Sequence, residues 1–269
     1  MRTDGPSHRL CRLWHKLRMF QMGRAGGFRY GGQRVFAPPG CHLYERILED
    51  GDYEHDTAEW MFRGARDQTW VFDVGANIGL MALPLLARNP TVRVVSFEPS
   101  PNAAPYLRRT VAASPFADRW SLRETALGET GGEVEFCVSG AANAAFDGMV
   151  HTRRVPCERR ITVPCSTVDQ EWQALGRPEV SLIKVDVEGA ELRVLRGARD
   201  CLQSRRPMIV TEWSRFNYPH YGHHAGELLE FAQAHGYHLY SLPRLWCVQD
   251  AALMAAANRV CGNFLLSPQ

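Results

Sequence analysis

From about residue 57 onward, short apolar runs alternate with segments whose apolar residues recur at helical spacing. A helical stretch around Thr57 to Arg66 precedes Trp70 to Val74, which reads as a strand ending in a glycine loop. Leu80 to Arg88 is a predicted helix, Val92 to Phe97 a strand, and Asn102 to Ala113 a helix. Trp120 to Leu127 and Glu133 to Val138 also read as strands, the second in a hairpin that begins at Gly131 and Gly132. Thr167 followed by Gln170 is a capping-box pattern that opens a helix. Val180 to Val187 is a nearly continuous apolar strand interrupted by Lys184 and Asp186, and it feeds a helix through Gly189. Met208 to Thr211 is a further buried strand, Glu227 to His235 a helix stopped by Gly236, and Tyr237 to Leu242 and Asn263 to Leu266 are closing strands. Apolar strands alternating with helices predict an α/β, doubly wound, Rossmann-like fold with a parallel sheet covered on both faces.

The first 40 residues follow a different pattern. Leu10, Leu13, Trp14, Leu17 and Phe20 share one helical face, with Arg9, Arg12, Lys16 and Arg18 mostly on the other. Gly23 to Gly32 reads as a flexible connector, so the predicted division is an arm over 1–40 and a domain over 41–269. Residues 1–34 hold eight Arg and Lys against one acid, which leaves the rest of the chain at −5 within a total of +2. An acidic body argues against a broad nucleic-acid surface. The basic helix either docks on its own domain or meets an anionic membrane or an acidic carrier protein.

With 269 residues and 45% hydrophobic composition the chain can bury a full core. Its eight cysteines show no C-x-x-C and no zinc-type spacing, so free, buried thiols in a reducing cytoplasm are the expectation. No apolar stretch reaches the roughly 20 residues needed to span a bilayer. Homo-oligomerisation is open.

In a doubly wound sheet, ligands bind at the carboxyl ends of the strands. Asp73 and Gly75 end the first strand, Glu98 the second, Asp186 and Glu188 the fourth, and Glu212 the fifth. The loop from Asp73 to Gly79 lacks the G-x-G-x-x-G that lets a backbone approach a pyrophosphate, and its leading acid would repel one. That weighs against a nicotinamide-dependent oxidoreductase. A nucleoside with a cationic amine and no phosphate suits it: Asp73 meets the amine directly or through water, Gly75 admits close approach, and Glu98 accepts both ribose hydroxyls. S-adenosylmethionine has all these features.

The segments Val71-Phe72-Asp73-Val74-Gly75-Ala76-Asn77-Ile78-Gly79, Ser96-Phe97-Glu98-Pro99, Ala126-Leu127-Gly128 and Leu182-Ile183-Lys184-Val185-Asp186-Val187-Glu188-Gly189-Ala190-Glu191 resemble the FkbM-type family of S-adenosylmethionine-dependent methyltransferases. Val194 to Ala198 and the closing Gly262 to Leu266 are similar as well, so the likeness runs from about residue 43 to the end. It implies a seven-stranded sheet of order 3-2-1-4-5-7-6. It also implies O-methylation of a hydroxyl on a small secondary metabolite or sugar, with Asn77, Gly79 and Ala126 joining Asp73, Gly75 and Glu98 at the cofactor. The segment from Ser139 to Arg160 and the first 40 residues carry no resemblance.

Methyl transfer asks for alignment, exclusion of water and removal of a proton. Lys184, Asp186 and Glu188 alternate onto one strand face, which puts Asp186 nearest the expected methyl with Lys184 as its partner. Glu212 is a further candidate, as is a histidine from the loop holding His220, His223 and His224; a solvated loop is the plainer account of these three. Asp186, Glu188 and Glu212 could also take a divalent cation, which the spacing does not demand. A paired-lysine pocket is excluded, because Lys16 and Lys184 are the only lysines. A non-catalytic cofactor-binding or assembly protein of the same fold is the alternative of another class.

Overall fold

A computed structural model describes residues 6–269, with the side chains of 6–13 and 15 left aside, so the predicted arm positions Leu10, Leu13, Arg9 and Arg12 lie outside the described side chains. Helix α1 covers Pro6–Ala25; Leu17 and Phe20 are exposed on it, whereas Met22 is buried against the domain. The Gly-rich connector is folded rather than flexible. Gly27–Tyr30 (β1) and Gln33–Phe36 (β2) form an antiparallel hairpin turned by Gly31 and Gly32, both at positive φ. Its glycines serve the turn and the pairing, since a Cβ on Gly27 would lie 2.1 Å from the Val35 carbonyl oxygen. Phe28, Val35 and Ala37 sit in the same core cluster as Val71 and Leu182.

Helices α2 (His42–Asp50) and α3 (His55–Gly64) lead into β3 (Trp70–Val74), α4 (Ala82–Arg88), β4 (Arg93–Phe97), α5 (Ala104–Ala113) and β5 (Trp120–Arg123). The single strand predicted over 120–127 breaks after Arg123. Its second part, β6 (Ala126–Leu127), joins a separate three-stranded sheet with β7 (Gly132–Val138) and β8 (Arg159–Ser166). Thr167 caps α6 (Val168–Ala174) through the predicted reciprocal bonds with Gln170. The chain continues through β9 (Val180–Val185), α7 (Glu191–Arg196), α8 (Arg199–Arg205), β10 (Met208–Glu212), α9 (Glu227–Ala234), β11 (Tyr237–Ser241), β12 (Trp246–Val248), α10 (Ala251–Val260) and β13 (Asn263–Pro268).

The main sheet has the order β12-β11-β13-β10-β9-β3-β4-β5. It corrects the expected parallel, seven-stranded sheet on two points. Among the described residues it has eight strands, of which β5, β4, β3, β9 and β10 are mutually parallel, while β13, β11 and β12 add antiparallel pairs. For β12 the reason is connection length: β11 turns straight back into it, and a hairpin needs no crossover helix. Alternation along the strands feeds two cores, with Val71, Leu182 and Val210 on one face and Phe72, Ile183 and Ile209 on the other. Both faces are covered by helices, which leaves the strand ends as the place for polar chemistry.

The insert between β7 and β8 is joined at its neck by a Cys137–Cys157 disulfide. The expectation of free thiols throughout is therefore wrong for this pair. The β7/β8 ladder sets Cys137 opposite Arg160, and the two cysteine Cα atoms are 5.8 Å apart, within bonding range. Cys41 and Cys201 are buried free thiols, as expected; Cys165, Cys247 and Cys261 are partly exposed. Among the described residues no helix is long and apolar enough to cross a membrane.

Candidate active site

The carboxyl ends of β3, β4, β9 and β10 open into one cavity of about 270 Å³. At one end stands the glycine loop. Gly75 has a φ of 76°, and a Cβ there would lie 1.8 Å from the Asp186 carbonyl oxygen, so glycine is required by the approach of the neighbouring strand's loop. The backbone N–H groups of Gly75 and Ala76 both donate to the Phe97 carbonyl, at 3.0 and 3.1 Å, which ties this turn to the end of β4.

Glu98 closes that end. It is 5% exposed, and its two oxygens accept separate backbone N–H bonds, from Asn77 at 2.8 Å and from Ser100 at 2.8 Å. Burial pushes its carboxyl up to about 7, against the pull of those two bonds, and the neighbouring Asp147 adds to the rise. Each oxygen keeps acceptor capacity for a ligand hydroxyl.

The other end is acidic. Lys184 is buried, and its ammonium lies 2.9 Å from the Gly75 carbonyl, 3.4 Å from Asp186 Oδ2 and 3.6 Å from Asp73 Oδ1. Burial alone would lower its proton affinity, but Asp186, Asp73 and Glu54 outweigh burial and hold it charged. Carboxylate oxygens of Asp186, Glu188 and Glu212 lie within 4.8 Å of one another. Arg154 donates to Glu188 Oε2 at 2.9 Å, and Asn217 donates to both Glu188 and Glu212, at 3.0 and 2.9 Å. Burial raises Glu188 to about 8 despite Arg154, and burial with Asp186 and Glu188 nearby raises Glu212 well above the usual carboxylate range. These oxygens would suit a divalent cation, but Arg154 and Asn217 already occupy two of the three groups.

Glu188 joins this cluster by a different route from strand alternation. The strand ends at Val185, and Glu188 turns inward through a left-handed φ of 56°. The buried Glu191 shapes that turn by accepting from the N–H groups of Val187 and Gly189, at 3.2 and 2.9 Å.

Most of the predicted site residues meet in this cavity: Gly75, Asn77, Glu98, Ala126, Lys184, Asp186 and Glu212 line it. Three do not. Asp73 is fully buried, is not among the lining residues and pairs with Lys184. Gly79 packs behind the loop, where a Cβ would press on Leu107 and Trp120 at 2.8 Å. His220 is exposed and does not line the cavity, while His223 is bonded to Glu227 at 2.9 Å. Tyr53, Glu54, Asp147, Arg154 and Asn217 carry no motif in the sequence. The structural signal at Glu54 is a left-handed residue, φ 44°, at the start of α3, with Asp186 and Lys184 as electrostatic neighbours.

Residues 73–239 match the model of the methyltransferase FkbM domain. The chain belongs to the FkbM methyltransferase family. Its relatives include the 2-O-methyltransferase NoeI of Sinorhizobium fredii, 28% identical over 156 residues, which are 54% of this chain and 63% of that protein. The hexuronic acid methyltransferase AglP of Haloferax volcanii is 30% identical over 158 residues, 58% of this chain and 61% of that protein. The methyltransferase sdnD of Sordaria araneosa is 27% identical over 198 residues, 64% of this chain and 74% of that protein. The chain thus spans a little over three fifths of the length of NoeI and AglP. The FkbM match includes both the strand-end residues and the insert.

Proposed function

We propose that this chain transfers the methyl group of S-adenosylmethionine to a hydroxyl of a small-molecule acceptor, a sugar or a secondary metabolite. The observation that carries this is the single cavity joining Glu98 and the glycine loop to the carboxylates around Asp186. The names of NoeI and AglP, which concern sugar-derived acceptors or a defined hydroxyl position, point the same way.

The residues fit the cofactor's chemistry. Glu98, with each oxygen fixed by one backbone donor, suits the two ribose hydroxyls. The turn at Gly75 to Asn77 brings backbone close to the amino-acid part, and the acidic end favours a sulfonium. When bound, the cofactor supplies an electrophilic methyl group.

The chain's own residues do the rest. Asp186, whose Oδ2 is held by Lys184, accepts the proton that the acceptor hydroxyl loses as its oxygen is methylated. Lys184 ties that carboxylate to the Gly75 carbonyl, which sets the proton acceptor against the cofactor turn. Glu188 and Glu212, oriented by Asn217, accept further acceptor hydroxyls. Phe146, with the Arg154 guanidinium 4.5 Å from its ring centre, roofs the acceptor side.

Calorimetry with S-adenosylhomocysteine, followed by transfer of labelled methyl to a panel of sugars, tests the assignment. Absence of S-adenosylhomocysteine binding would sink it. Tight binding without turnover on any hydroxylated acceptor would favour a non-catalytic cofactor-binding protein.

A further inference from the structure

The insert between β7 and β8 touches both ends of the cavity. Arg154 reaches Glu188 and Asn217 at the acceptor end, and the Val150 N–H donates to the Tyr221 hydroxyl at 3.1 Å. At the cofactor end stands Asp147, buried and surrounded by donors. Its Oδ1 accepts from the Ser139 N–H at 2.7 Å and from the Ser139 hydroxyl. Its Oδ2 accepts from the Ser100 hydroxyl and from Asn102 Nδ2 at 3.3 Å. Ser100 is also the residue whose N–H holds Glu98 Oε1.

We propose that Asp147 is a positioning residue for the ribose-binding carboxylate, acting through Ser100 on Glu98, so that the insert completes the cofactor end as well as roofing the acceptor. The inference rests on the assignment of Glu98 to the ribose hydroxyls. Glu98 has two clamps of unequal security. The Asn77 clamp belongs to a turn that is itself bonded to Phe97. The Ser100 clamp lies beyond the end of β4, and its side chain is tied to Asn102 N–H at 3.0 Å and to Asp147. Loosening Asp147 frees that side of the carboxylate to rotate, and two-hydroxyl recognition depends on both oxygens staying in place.

Charge argues against a different role for Asp147. An acid beside Glu98 opposes the ionisation of Glu98, so Asp147 does not serve as its electrostatic partner. What it supplies is acceptor capacity on two oxygens for four donors. Asparagine, with one oxygen and an NH₂ group, cannot reproduce that set.

A ligand-and-variant cycle tests this by calorimetry, with S-adenosylhomocysteine and its 2′,3′-dideoxyribose analogue as the two probes. At pH 8, above the ionisation of Glu98, Asp147→Asn is expected to weaken S-adenosylhomocysteine about tenfold, and Ser100→Ala about threefold, the scale of one lost or misaligned hydrogen bond. Both variants are expected to change binding of the dideoxy analogue less than about twofold, because Glu98 geometry has nothing to read there. Equal losses against both ligands would mean a merely structural role and overturn the proposal. If Asp147→Asn fails to give a cooperative melting transition, Ser100→Ala decides by the same criterion. A wild-type protein that binds both ligands equally would overturn it too, and would place the fault in the ribose assignment. No binding of either ligand would instead put the methyltransferase assignment in doubt.

Discussion

The two ends of the cavity are built in contrasting ways. The cofactor end is built mainly by residues 74–100 at the ends of two adjacent parallel strands, with Asp147 of the insert bracing Ser100, and backbone N–H groups do most of the holding. The acceptor end gathers Glu54, Arg154, Asp186, Glu188, Glu212 and Asn217 from five separate segments, and side chains hold one another. Backbone geometry fixes the first, the end we propose for the nucleoside. Side-chain networks can be rewired by single substitutions, so the second is where acceptor preference can vary while the cofactor stays the same.

If the ends work separately, Asp186→Asn should lower turnover by about 10²- to 10⁴-fold, the usual worth of a positioned general base. Its affinity for S-adenosylhomocysteine should stay close to that of wild type in calorimetry; parallel loss of both would show that the ends are one unit. Glu98→Gln should do the reverse, weakening S-adenosylhomocysteine roughly a hundredfold through two charge-assisted bonds, with turnover at saturating cofactor nearly retained.

Lys184 joins the two ends, lying between Asp73, Asp186 and the Gly75 carbonyl. Lys184→Arg puts a larger planar group into a buried site whose partners are fixed for one ammonium, and should cost about 2 kcal/mol in urea denaturation. Unchanged stability and turnover would remove lysine's special place there.

The smallest effect is that of pH. Between about pH 6 and 8 cofactor affinity should rise roughly tenfold as Glu98 ionises near 7, and then level off; Glu98→Gln should flatten the profile. The unliganded protein should show the opposite trend in stability. Burial raises Glu98 and Glu191 from 4.5 to about 7 and Glu188 to about 8, so the native state binds more protons than the unfolded chain. Their contribution is complete below about pH 4.5 and is lost as pH rises through 7 and 8, so the melting temperature should fall over that interval.

The sequence exposes the cofactor end because strand periodicity and turn chemistry are local. Glu98 at a strand end and the Lys184–Asp186 spacing can both be placed without knowing what packs on them. Asp147 and Arg154 escape because the insert has no periodic pattern, and its contacts with Ser100 and Glu188 span 47 and 34 positions. Asn217 lies beside the predicted histidines, yet the fold buries the amide and leaves His220 outside, a choice that depends on where Tyr218 packs against Trp213. The hairpin at Gly27 to Phe36 escapes for another reason: glycine density suggests freedom, while here it answers a steric demand from Val35.

The narrow neck of the insert has a practical consequence. Its two ends leave neighbouring strands a bond apart, so residues 139–156 can be exchanged as a cassette without re-registering the sheet. Such a graft could transplant a relative's acceptor preference onto this scaffold. The transplanted cassette would have to bring an acid to the place of Asp147; without one, the chimera would inherit a new acceptor and hold the methyl donor more weakly.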